Sequence, residues 1–66
     1  MINKIKIHRK HLSFTQEELA KKLNVTRQTI NAIENNKYNP TLELAMKLSR
    51  ILNTTVEDLF EINDDD

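Results

Sequence analysis

Between Gln16 and Asn39 the chain gathers side chains able to both donate and accept hydrogen bonds, or to carry positive charge: Gln16, Arg27, Gln28, Thr29, Asn31, Asn35, Lys37, Tyr38 and Asn39. An Arg can take the O6 and N7 acceptors of guanine. Gln and Asn can take N6 and N7 of adenine, and a Thr or Ala methyl can meet the thymine methyl. Stepping about 100° per residue from Ile30 puts Gln28, Asn31, Ala32 and Asn35 opposite the apolar Ile30–Ile33 side of a helix. Arg27 and Thr29 flank its N-terminal end. This outer face carries no acid to repel phosphate, and Ala32 would let it sit deep in a groove. Every amphipathic helix also shows water a polar face, so periodicity fits an ordinary solvated surface equally well.

Other chemistry is thinner. His8 and His11 stand at i, i+3, but metal sites normally need three or four ligands and no Cys or acid is placed beside them. The expected places are the core edge for His8 and water for His11, with no metal and no cofactor. A pH-switch role is the other reading of His8, since histidine as a residue type is the usual switch near physiological pH. Glu17 and Glu18 are adjacent, do not face each other on a helix, and complement a helix N-terminus. Ser13, Thr15 and Ser49 have no ordered base partner. No catalytic site emerges, and the chain reads as a non-enzyme.

The elements that must position these residues are read from caps and period. The first helix takes Ile5, His8 and Leu12 at i, i+3 and i+7, with Asn3 as N-cap; Ile5–Ile7 fits a strand as well. Thr15 caps the second helix, Glu18 closes a capping box, and Phe14 and Leu19 form a hydrophobic staple. Its buried face is Leu19, Ala20 and Leu23. Thr26 caps the third helix, Val25 and Ile30 staple it, and N-N-K-Y-N-P ends it. Thr41 caps a fourth helix whose apolar residues (Leu42, Leu44, Ala45, Leu48, Ile51, Leu52) run almost all round, as in a central helix. Thr54 and Glu57 box a last helix carrying Val56, Leu59 and Phe60. Asn24 sits where the chain reverses between helices two and three, and Asn tolerates positive φ. Ala20 is small where those helices must cross. This is the residue logic of a helix-turn-helix. The expected fold is all-α, one domain over 1–66, with the helix-turn-helix core at 16–35.

Composition bounds the rest. A 66-residue chain buries only about 60% of its unfolded surface and has a thin core. Without cysteine there is no disulfide or thiolate site, and without glycine there is no Gly-rich phosphate loop. No apolar run approaches the roughly 20 residues of a membrane span, and M-I-N-K-I-K-I is no secretion signal, so a cytoplasmic place is expected. Net charge is zero, yet residues 1–40 hold eight Lys/Arg against three acids, while 41–66 hold two against seven. A basic half could face an anion while the acidic half faces away.

The segment F-T-Q-E-E-L-A-K-K-L-N-V-T-R-Q-T-I-N-A-I-E-N-N-K-Y-N-P resembles the Cro/cI-type helix-turn-helix regulators, the xenobiotic-response-element family. T-R-Q-T-I-N, N-K-Y-N-P, E-D-L-F and the chain length are most similar to its short repressors, typified by the cytolysin repressor. The resemblance spans about Ile5 to Phe60. It implies a five-helix domain binding palindromic operator DNA as a homodimer. Carried over by position, Gln16 would hold a phosphate. Arg27, Gln28, Thr29 and Asn31 would face base edges, and Asn35, Lys37, Tyr38 and Asn39 would grip the backbone. Arg9 and Glu34 match a buried ion pair. A terminal β-ribbon would pair Ile2–Lys4 with Phe60–Asn63. Departures are Ser13, Asn24 and Asn36 at usual glycine positions, His8 at an aliphatic one and Leu12 at a polar one. The neutral overall charge implies weak non-specific DNA affinity.

Tyr38 fits phosphate contact or closure of the loop against the core. Val56, Leu59, Phe60 and Ile62 fit a dimer surface or a cap on the core. Double-stranded DNA is the expected partner, with no membrane and no small-molecule ligand. The alternative is an antitoxin or adaptor holding a protein through the acidic half, because fold does not fix function.

Overall fold

The computed structural model describes residues 1–62. Five helices follow a short strand and precede another: β1 Ile2–Asn3, α1 Ile5–His11, α2 Gln16–Leu23, α3 Arg27–Glu34, α4 Leu42–Ile51, α5 Val56–Leu59 and β2 Phe60–Glu61. The fold is all-α apart from the two-stranded antiparallel ribbon, in which Ile2 pairs with Glu61 and Asn3 with Phe60. The ribbon is shorter than the resemblance implied, and Asn63, like the acidic tail, lies outside the described residues.

Four helices start on threonine side chains. Thr15, Thr26, Thr41 and Thr55 each accept a hydrogen bond from the backbone N–H three residues on. At Thr15 the box closes, since its own N–H donates to Glu18 Oε1 at 2.9 Å. That backbone bond, with help from the Thr15 hydroxyl, holds the Glu18 carboxyl below its ordinary pKa. The last cap is Thr55, one residue later than Thr54. The Thr54 N–H is already committed, donating to Ser49 O at 2.9 Å to close α4.

The helices end alike. Ser13, Asn24, Asn36 and Asn53 adopt φ of 63°, 58°, 57° and 57°. At each end, the next residue's N–H reaches back to close the last turn: Phe14 to Arg9, Val25 to Ala20, Lys37 to Ala32 and Thr54 to Ser49. This is the Schellman arrangement, built in a chain without glycine. Asn bears the left-handed conformation at modest cost; Ser13 bears it less readily.

Ile5, Leu19, Ala20, Leu23, Ile30, Ile33, Leu48, Leu52 and Leu59 form the core, with Phe14, Val25, Leu44, Ile51 and Phe60 packed around it. Three expectations change. In α1 the buried partner of Ile5 is Arg9; the helix stops at His11, leaving Leu12 exposed as its C-cap and His8 half-buried. In α4 one side is buried (Ala45, Leu48, Ser49), while Leu42 is 73% exposed and Met46 also faces outward. Asn3 is not the N-cap of α1, a place held by Lys4, although its Oδ1 accepts from the Ile5 N–H at 3.3 Å. Among the described residues no helix is long and apolar enough to cross a membrane.

Candidate nucleic-acid interface

The three-residue turn Asn24–Thr26 sets α3 across α2, with the left-handed Asn24 making the reversal. Ile30 and Ile33 anchor α3 in the core, so the opposite side of the helix faces outward. Arg27, Gln28, Asn31 and Asn35 are exposed there. The acid of α3 is withdrawn from that face: the Glu34 side chain is 2% exposed and lies against Arg9.

Arg9 is buried at the junction of α1, α2 and α3. Its Nε and Nη2 donate to Glu34 Oε2 and Oε1 at 2.7 and 3.2 Å, and its Nη1 donates to Phe14 O at 2.8 Å. All three nitrogens are satisfied, which a buried guanidinium requires. The bidentate pair therefore ties the last turn of α1 to the C-terminal end of α3.

Gln16, the first residue of α2, extends this network outward. Its Nε2 donates to Glu34 Oε1 at 3.1 Å and to Asn31 Oδ1 at 3.3 Å. Asn35 Nδ2 donates to Asn31 O at 2.8 Å and Asn31 Oδ1 at 3.1 Å. Gripping phosphate through the side-chain amides of Gln16 or Asn35 would thus require hydrogens that are already engaged. The backbone N–H of Gln16 remains in the first turn of α2, where no intrahelical acceptor exists.

Gln16, Arg27, Gln28 and Asn31 line one open hollow of about 250 Å³. It adjoins a larger hollow of about 570 Å³ lined by Lys10, Thr15, Gln16, Glu17 and Arg27 among others. Thr29 stands apart from both. It is half-buried, and its hydroxyl lies 3.0 Å from that of Thr26. Lys37, Tyr38 and Asn39 are exposed on the loop after α3. That loop is held by a residue the sequence reading had placed elsewhere. Asn3 Nδ2 donates to Ile33 O at 2.8 Å and to Asn36 Oδ1 at 2.9 Å, closing the C-terminal end of α3 from the terminal ribbon. Lys10 was likewise missed, its membership of the basic half being the sole sequence signal.

On the other side, Met1, Pro40, Leu42, Val56, Phe60 and Ile62 line an apolar hollow of about 420 Å³. Leu59, expected beside Val56, Phe60 and Ile62, is 0% exposed and supports this face from within the core. Among the described residues no group of three or more His, Cys, Asp or Glu could hold a metal ion.

A helix-turn-helix family model matches residues 5–59. The chain is 50% identical over 66 residues to an uncharacterized HTH-type transcriptional regulator of Methanocaldococcus jannaschii, covering the whole of both chains. It is 38% identical over 65 residues to the uncharacterized HTH-type transcriptional regulator YgzD of Bacillus subtilis, covering 98% of each. Its structure is similar to the N-terminal DNA-binding domain of SinR from Bacillus subtilis, with a TM-score of 0.78 and 31% identity over 91% of this chain and 88% of that one. The chain belongs to the Cro/cI-type helix-turn-helix family of DNA-binding transcriptional regulators.

Proposed function

We propose that this protein is a sequence-specific repressor that binds a palindromic operator in the cytoplasm as a homodimer, with α3 in the major groove. The observation that carries the reading is the outer face of α3: Arg27, Gln28 and Asn31 exposed together at its first turns, with the single acid of the helix turned inward onto Arg9. N-terminal residues of a recognition helix are those that reach base edges. Thr29, tied to Thr26, would contribute its methyl alone. Lys37, Tyr38 and Asn39 would track the sugar-phosphate backbone. Gln16 would meet a phosphate through its main-chain N–H at the start of α2, near Lys10 and Arg27. Asn35 would hold Asn31 in place.

The apolar hollow supports the dimer. Ile62 is 77% exposed and Leu42 73%, beside the half-buried Val56 and Phe60, and apolar side chains grouped at the surface mark interaction sites. Two copies joined there by a two-fold axis would address half-sites about 34–36 Å apart.

Selection of bound sequences from random duplex DNA tests the reading. An inverted repeat should emerge, and log K for it should fall with log salt at a slope near −0.9 per phosphate neutralised. Failure to enrich any duplex, or affinity indifferent to salt, would overturn it and favour an adaptor that binds protein.

A further inference from the structure

The hydrogen bonds leading from the core to α3 have a fixed polarity. Glu34 is a carboxylate and accepts only; Arg9 donates to both of its oxygens. Gln16 must therefore turn its NH2 group, not its carbonyl, toward Glu34. The same NH2 faces Asn31, which must answer with its carbonyl Oδ1. Asn35 is fixed independently: its NH2 donates to the main-chain O of Asn31, an atom that can only accept, and to the same Oδ1. Two donors thus fill the two lone pairs of Asn31 Oδ1. The NH2 of Asn31 has no hydrogen-bond partner among the described residues, and Asn31 is exposed.

An Asn that reads adenine needs both ends of its amide, the carbonyl for N6–H and the NH2 for N7. Asn31 has only the NH2 to offer. Adenine N6–H would meet it as donor against donor. Guanine presents two acceptors, O6 and N7, on the same edge.

We propose that Asn31 specifies guanine rather than adenine, and that Gln16 and Asn35 are positioning residues that impose this choice by holding its carbonyl, the polarity being set by the buried Arg9–Glu34 pair. The proposal rests on α3 being the DNA-reading helix. The sign of one base contact is therefore decided in the core, three side chains away from the groove.

Enrichment from random duplex DNA by three proteins tests it: wild type, Asn31→Ala and the double variant Gln16→Ala/Asn35→Ala. Asn31→Ala identifies the operator position, as the one whose preference vanishes. At that position wild type should prefer guanine over adenine by about tenfold. The double variant frees Oδ1 and should shift the position toward adenine, a change that loss of folding or of general affinity would not produce. A second measurement needs no variant. Wild type should bind an operator carrying 7-deazaguanine at this position several-fold more weakly, since N7 is gone. Adenine preferred there by wild type, an unchanged guanine preference in the double variant, or indifference to 7-deazaguanine would overturn the proposal. Enrichment of no duplex at all would instead overturn the DNA reading on which it rests.

Discussion

The polar face at α2 and α3 and the apolar face at α4, α5 and the ribbon are built on opposite terms. On the first, Gln16, Asn31 and Asn35 are oriented by hydrogen bonds that lead back to a buried ion pair. On the second, Leu42, Val56, Phe60 and Ile62 offer area with no orientation. Hydrogen bonds fix direction within a few tenths of an ångström and so can discriminate between partners; apolar contact scales with area and gives affinity. A face meant to read is thus best built of constrained amides, and a face meant to hold is best built of aliphatic surface.

The largest expected effect strikes the support of the polar face. Arg9→Ala leaves Glu34 buried and uncompensated, and breaking a buried pair costs about 3–5 kcal/mol. A domain of this size has little more than that in total. Thermal melting of Arg9→Ala should show a large loss of stability or no folded state. The double replacement Arg9→Met/Glu34→Leu should recover most of the stability, because matched apolar substitution of a buried pair is often nearly neutral. A single variant as stable as wild type would show that the pair holds nothing.

Next comes the apolar face. Ile62→Asp changes an exposed side chain and should leave the melting curve of the monomer intact. It should abolish dimerisation in sedimentation measurements and weaken operator binding by about 100-fold, the avidity that linking two half-sites supplies. An unaltered dimer would move the interface elsewhere. The smallest effect falls at the edge of the polar face, where Ser13 lines the larger hollow. Ser13→Gly relieves a left-handed serine and should raise stability by about 0.5–1 kcal/mol, with base preference unchanged. A destabilised variant would mean that backbone entropy outweighs the relief.

Much of the frame was legible in the sequence. Thr15, Thr26 and Thr41 announce their helices because capping is local, decided within four residues. Leu19, Ala20, Leu23, Ile30 and Ile33 follow from period alone. Thr54 and Thr55 were not separable by pattern: both head a threonine-x-x-acid run, and the fold separates them, Thr55 Oγ1 accepting from the Asp58 N–H while the Thr54 N–H closes α4. Leu42 and Leu59 also look alike in sequence, though one faces water and the other the core, since a short amphipathic stretch does not say which of two apolar sides its own chain will cover. The polar network was invisible for a different reason. Gln16 meets Glu34 across 18 positions and Asn3 meets Ile33 across 30, distances that exist only after the helices cross. The resemblance brought Arg9 and Glu34 together but was silent about which way the amides beyond them point.

In the proposed function α3 reads sequence while the loop after it merely holds the DNA. This division is tested most directly by the affinity ratio between the selected operator and a scrambled duplex. The ratio would be measured at three salt concentrations for wild type, Gln28→Ala and Lys37→Ala. Loss of a base contact should cost Gln28→Ala about 1–3 kcal/mol on the operator and almost nothing on the scrambled duplex, so that the ratio falls. Lys37→Ala should weaken both duplexes equally and flatten the salt slope by about one unit, leaving the ratio unchanged. Full discrimination retained by Gln28→Ala would contradict the assignment of α3 as the reading element.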